Sequence, residues 1–147
     1  AVAPDKSVVL NEKVVRELQI PKNYIDQTVK KETEEINRRL EKYRGNENYP
    51  SLKNKIVILV DDGIATGYTM KASVKFLKKK NPEKIIVAIP VGPYDSISEL
   101  EKEVDEVVVI EIPENFRAIG IHYENFPQVS DEEVIEFLKK IKKLTKK

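Results

Sequence analysis

The run Ile56-Val57-Ile58-Leu59-Val60, closed by Asp61-Asp62, constrains this chain more than any other stretch. Five consecutive apolar residues, four of them β-branched, leave a strand no polar face to turn toward water. Such strands belong in the middle of a parallel sheet, covered on both sides. The residues that follow, Gly63-Ile64-Ala65-Thr66-Gly67, are mostly small. The span Thr69 to Lys80 then places Met70, Ser73, Val74 and Leu77 at helical spacing. A buried strand therefore ends in two acids, turns tightly and feeds a helix.

The pattern recurs downstream. Lys84 to Val91 reads as a second buried strand, Asp95 to Val104 as a short helix and Glu106 to Ile112 as a third strand. The order β-α-β-α-β at short spacing implies right-handed crossovers. The expected fold is α/β, an open, mainly parallel sheet with flanking helices. Upstream, Ala1–Ala3 and Ser7–Leu10 are short β-prone pieces around an Asp5-Lys6 turn. Asn11 can cap a short helix through about Leu18, and Pro21 stops it. Tyr24 to Arg44 is the longest helical pattern, with Ile25, Val29, Ile36, Leu40 and Tyr43 on a narrow stripe. Glu34 and Arg38, and Glu35 and Arg39, are spaced to pair, and Gly45 ends the helix before a polar loop, Asn46 to Ser51. Ser130 and Glu133 form a capping box for a last helix carrying Val134, Phe137, Leu138, Ile141 and Leu144 on one face. Six lysines between Lys139 and Lys147 read as a solvated tail that suits a helix C-terminus.

Composition removes several function classes. At 147 residues the chain has the size of one domain. Its 26 basic and 25 acidic side chains balance, which argues against a nucleic-acid binder. Without cysteine there are no disulfides, thiolate metal sites or cysteine nucleophiles, and a single histidine leaves little for histidine-rich metal sites or Ser-His-Asp triads. No apolar run approaches the roughly 20 residues of a membrane span, and no secretory signal opens the chain, so the expected location is cytoplasmic and no membrane partner is expected. Charged residues, mostly Lys and Glu, make up 35% of the chain, a surface common in thermophiles.

The chemistry sits in Val57 to Thr69. Ligands of open α/β sheets bind at the carboxyl ends of strands. Backbone N–H groups of the turn and the helix N-terminus make an anion site, Gly67 permits close backbone approach, and Thr66 and Thr69 add hydroxyls. Two adjacent carboxylates beside a phosphate cradle can accept hydrogen bonds from a diol such as ribose, or help hold Mg²⁺ directly or through water. The residues by themselves describe a site for a phosphorylated sugar. An acid pair after a strand also occurs in response-regulator receivers. Those require a phospho-accepting Asp and a Lys at the ends of later strands, and these strands end in Ile89-Pro90-Val91 and Ile112-Pro113.

The same stretch resembles the signature of type I phosphoribosyltransferases: apolar strand, two acids, two further residues, then Ala/Asp-Thr-Gly-x-Thr. The resemblance implies 5-phosphoribosyl-1-pyrophosphate (PRPP) as substrate, with Mg²⁺. Asp61 and Asp62 would hold the ribose hydroxyls as catalytic and metal-binding residues, and Ala65, Thr66, Gly67, Tyr68 and Thr69 would bind the 5′-phosphate. A second match lies in Ile112-Pro113-Glu114-Asn115-Phe116, Gly120, Tyr123 and Phe126. It resembles the base-binding segment of the hypoxanthine-guanine enzymes, so Phe116 would stack on a base, the other reading being a core Phe. His122 stands where those enzymes carry an Asp, and Ala65 where they carry an acid, a loop closer to the adenine type. The acceptor base therefore stays open between purine and pyrimidine.

Closer still is a set of uncharacterised phosphoribosyltransferase-domain proteins, which the chain resembles through Val8-Val9-Leu10-Asn11-Glu12, Tyr43-Arg44-Gly45, Val60 to Gly67, and the helix opening Asp131-Glu132-Glu133-Val134. Those proteins carry an upstream pyrophosphate loop, and nothing before Lys55 has its form. The chain also opens Ala1-Val2-Ala3-Pro4 without Met. The expectation is thus one phosphoribosyltransferase-like domain over 1–147, incomplete at its N-terminus, with 22–50 as a helical insertion or lid carrying Lys30, Lys31, Arg38 and Arg39. The edge beside the Lys55–Val60 strand should be covered by a missing segment, a partner segment or a homo-oligomer contact. Two functions follow: a transferase using Mg²⁺-PRPP and a nitrogen nucleophile, or a non-catalytic module binding PRPP or a nucleoside 5′-monophosphate. A third use, as an interaction fragment acting through the helix and basic tail, is the remaining alternative.

Overall fold

The computed structural model describes residues 1–46 and 49–144; part of the Asn46–Ser51 loop and the end of the lysine tail lie outside them. Three parallel strands, β1 (Ile56–Val60), β2 (Lys84–Val91) and β3 (Glu106–Glu111), lie in the order β1-β2-β3. Their helices follow the sequence pattern: α1 (Glu12–Glu17), α2 (Lys22–Arg44), α3 (Tyr68–Lys78), α4 (Tyr94–Glu101) and α5 (Asp131–Leu144). In β2 the burial alternates strictly, with Ile85, Val87, Ile89 and Val91 all buried. The first three meet Ala72, Val74, Phe76 and Leu77 of α3 and Ile97 and Leu100 of α4 in one core. Both crossovers advance in the same direction, so right-handed connection puts α3 and α4 on the same face. Lys71–Glu99 and Lys78–Glu103 ion pairs tie α3 to α4 and to the turn that follows it.

The other face differs from expectation. Continuous apolarity predicted an interior strand, yet among the described residues β1 is an edge and β2 the centre. The register puts Ile56, Ile58 and Val60 on the face away from α3, where all three are exposed.

Local signals match closely. Asn11 accepts from Val14 N–H at 3.1 Å, capping α1. Ser130 N–H and Oγ donate to Glu133 Oε2 at 2.8 Å, and Glu133 N–H returns a bond to Ser130 Oγ at 3.3 Å, the reciprocal geometry of a capping box. Gly45 ends α2 in a left-handed conformation with its N–H on Glu41 C=O. The first ten residues form a hairpin with a Val2–Val8 bridge; its Ala3 is buried in the core, and Asp5 accepts from Lys79, just past α3, at 2.6 Å. On α2 one expected pair changes. Arg38 bonds Glu35, three residues back, and Asp131 of α5 at 2.7 Å, where a Glu34 partner was expected; Arg39 pairs with Glu35 as expected. Tertiary contact with α5 turns Arg38 away from its i−4 neighbour.

Candidate ligand site at the end of the first strand

A pocket opens at the carboxyl end of β1. It is lined by the contiguous run from Asp61 through Met70, together with Ile119 from a 3₁₀ turn, Ile119–His122. The turn is held from three sides. Val91 C=O, at the end of β2, accepts from Ile64 N–H at 2.9 Å. Ser96 of α4 donates its hydroxyl to Ala65 C=O at 2.8 Å. Tyr123 donates its hydroxyl to Asp62 C=O at 2.6 Å. Ile64 is buried beneath the turn and anchors it to the core.

Gly67 is the N-cap of α3, in a left-handed conformation at φ 72°, and no side chain caps the helix there. Its C=O accepts the first intrahelical bond, from Lys71 N–H at 2.9 Å. The N–H groups of Tyr68, Thr69 and Met70 therefore have no intrahelical acceptor and lie at the positive end of the helix dipole, which favours an anion. Two carboxylates line the same pocket. Asp62 N–H donates to Asp61 Oδ1 at 3.0 Å. Burial raises the Asp61 pKa above the ordinary carboxylate value; the bond from Asp62 N–H opposes the rise and the Asp62 charge adds to it. Electropositive backbone and acceptor-rich carboxylates in one pocket suit a ligand that carries both an anionic group and hydroxyls.

The pocket thus brings together Asp61, Asp62, Ala65, Thr66, Gly67, Tyr68 and Thr69. Phe116 is placed elsewhere: its ring stacks on His122, with centroids 5.8 Å apart and planes 7° from parallel. The histidine Nε2 is buried without a hydrogen-bond partner, and its Nδ1 lies 3.7 Å from a Glu111 carboxylate oxygen. None of Lys30, Lys31, Arg38 and Arg39 lines the pocket. Arg38 instead binds α5. Ile119, Ser96 and the Tyr123 bond were not legible as site features, because each is brought to the turn from a distant part of the chain. Among the described residues no cluster of three or more metal-ligating side chains occurs. Two adjacent carboxylates nevertheless fit Mg²⁺ that keeps water and substrate oxygens in most of its shell, as that ion commonly does. No helix among the described residues is long and apolar enough to cross a membrane.

Known proteins resemble this chain in sequence and fold. Residues 3–124 match the family model described as the phosphoribosyl transferase domain. Proteins of two Mycobacterium tuberculosis strains, both provisionally named phosphoribosyl transferases, are 38% identical over 138 residues; the match takes 94% of this chain and 31% of theirs. The chain thus spans about a third of the length of these curated relatives. A ribose-phosphate pyrophosphokinase of Pyrococcus furiosus is 42% identical over 60 residues, 40% of this chain and 22% of its own. The crystal structure of a Thermus thermophilus protein superimposes with a TM-score of 0.73 at 29% identity, covering 95% of this chain and 65% of that one. With the matched region running through strand, acid pair, turn and helix, this chain belongs to the phosphoribosyl transferase domain family.

Proposed function

We propose that the β1 pocket binds a ribose 5-phosphate unit and that the protein transfers it from Mg²⁺-PRPP to a nitrogen nucleophile, releasing pyrophosphate. The observation that carries this reading is the convergence of the uncapped α3 N-terminus with the Asp61–Asp62 pair in one pocket. In this reading the 65–69 turn takes the 5′-phosphate on its N–H groups and threonine hydroxyls, and the two carboxylates accept from the ribose 2′- and 3′-hydroxyls. Displacement at C1 proceeds with inversion through an oxocarbenium-like transition state, so the protein contributes mainly positioning and charge stabilisation. Mg²⁺ carried by the substrate supplies charge neutralisation on the leaving pyrophosphate. The acceptor is a nitrogenous base or a related amine.

One observation favours a second reading, a module that binds a 5′-monophosphate without chemistry. Among the described residues no Lys or Arg lines the pocket, and Ala65 offers no proton relay. A titration separates the two. Mg²⁺-PRPP and a nucleoside 5′-monophosphate are each titrated, with Asp62→Asn as control, and turnover is followed over a panel of bases. Binding of both with pyrophosphate release supports transfer, and monophosphate binding without turnover supports the module. Failure of both ligands to bind sinks the site itself. Asp62→Asn is expected to weaken either ligand about tenfold or more, as loss of a charge-assisted hydrogen bond would.

A further inference from the structure

A second cavity adjoins the β1 pocket, and Asp62 lines both. It encloses about 580 Å³, within the range of small-ligand sites. Its other walls come from the segment between the 3₁₀ turn and α5: Tyr123 and the run from Asn125 to Val129. Phe126 is 48% exposed there, yet its ring is held. A Cβ on Gly120 would lie 2.9 Å from Phe126 Cδ1, so the missing side chain lets the ring settle against the turn. The Tyr123 ring packs on it with centroids 5.0 Å apart, and the same tyrosine donates its hydroxyl to Asp62 C=O. One residue thus ties the aromatic surface to the acid turn. Among the described residues the side-chain amides of Asn125 and Gln128 have no hydrogen-bond partner. Each amide offers an acceptor and two donors, which suits the mixed edge of a nitrogen heterocycle.

We infer that this cavity takes the acceptor, its ring stacked on Phe126, and that it selects an uncharged heterocyclic base over a carboxylated one. The inference rests on the ribose 5-phosphate reading of the β1 pocket. In that reading the carboxylates hold the 2′- and 3′-hydroxyls, one and two carbons from C1, the atom that the acceptor bonds. A sugar held by Asp62 therefore brings C1 close to the wall that the two cavities share.

Charge sets the selection. Among the described residues Asp62 is the one charged residue that lines the cavity. A ring carboxylate would meet no cation there and would sit beside an acid, a like-charge contact that works against binding. Arg38 and Arg39 line an adjoining cleft that shares Gln128 and Val129. Both are already bound to Glu35, and Arg38 also to Asp131. Phe116, the aromatic that the sequence pattern suggested for this role, stacks on His122 and lines neither cavity.

Calorimetric titration with three probes tests the inference: ribose 5-phosphate, uridine 5′-monophosphate and orotidine 5′-monophosphate. The two nucleotides differ by one ring carboxylate. Uridine monophosphate should bind about tenfold or more tighter than ribose 5-phosphate, as a stacked base would. Orotidine monophosphate should bind about fivefold or more weaker than uridine monophosphate. Phe126→Ala should lose most of the uridine gain and still bind ribose 5-phosphate. Phe126→Tyr should keep the gain, and Gly120→Ala, which pushes the ring aside, should reduce it. Melting temperature checks that each variant folds. Binding of ribose 5-phosphate with no gain from the base would overturn the inference and leave the β1 reading standing. So would a gain that survives Phe126→Ala, or orotidine monophosphate bound as tightly as uridine monophosphate. Failure of all three probes to bind would overturn the β1 reading and this inference together.

Discussion

Gly63 and Gly67 bracket the same turn, yet each is required for a different reason. A Cβ on Gly63 would lie 2.9 Å from Ile119 Cγ2 and 3.0 Å from Val91 C=O; the first can yield, but the second belongs to the backbone that holds the turn. Gly63→Ala is therefore expected to cost about 1–3 kcal/mol in denaturant unfolding and to weaken ligand binding as the turn shifts. At Gly67 a Cβ meets only ordinary contacts, the nearest 3.6 Å away, and the cost is conformational, about 1–2 kcal/mol for a left-handed alanine. Tyr123→Phe removes one hydrogen bond to Asp62 C=O while keeping the ring against Phe126. Stability should fall by only about 0.5–1.5 kcal/mol, with a larger proportional loss in affinity for a 5′-monophosphate by calorimetry. Asp61 sets a pH limit on the acid side. Its folded pKa is raised, so it protonates before an ordinary carboxyl, near about 3.9, would. Affinity for the hydroxylated ligand should decline above that pH as the solution is acidified, and Asp61→Asn should flatten the decline.

At the level of elements, the long helix is held at the far end of the chain. Asp131, the first residue of α5, accepts from Arg38 at 2.7 Å, from Lys42 at 2.8 Å and from the Tyr43 hydroxyl. These three bonds, Arg38 first, hold its pKa well below the ordinary carboxylate value. Bonds from Arg38 and then Arg39 likewise lower Glu35 to about 2. The sign follows from linkage: a depressed acid contributes stability that is complete above its unfolded pKa and disappears as pH falls through the folded one. Acidification below about pH 4 should thus loosen α5 from α2, visible in the Tyr43 ring signals by NMR. Asp131→Asn should loosen it already at neutral pH and remove most of that acid dependence. Such an exposed network is screened by salt, so the difference should shrink at high ionic strength.

The whole molecule rests on a single one-sided core. Leu100 of α4 and Val87 at the sheet centre are fully buried, and Leu100→Ala is expected to cost about 2–5 kcal/mol by chemical denaturation. With no second layer among the described residues to compensate, the loss should lower cooperativity as well as midpoint. Much of this architecture was legible in advance. The boundaries of β2, the Asn11 and Ser130 caps and the Gly45 stop all follow from local chemistry, each signal and its effect lying within a turn or two of chain. That the acid pair and the turn after it lie together in one pocket was equally legible, because strand, acids, turn and helix are contiguous. Other features depended on distant residues. Arg38 chose Asp131, 93 residues away, over Glu34. Phe116 stacks on His122, six residues on, and does not line the β1 pocket.

Periodicity and local capping thus determine which residues become strand and helix, and contiguity determines that two carboxylates meet an open helix N-terminus. Tertiary structure alone decided that β1 lies at a border, which apolar run lengths cannot reveal: they report that both faces avoid water, not which neighbour covers them. It also decided that Val91, Ser96 and Tyr123 hold the acid turn. These contacts arise from right-handed winding and core packing, which bring together groups that the linear chain keeps far apart.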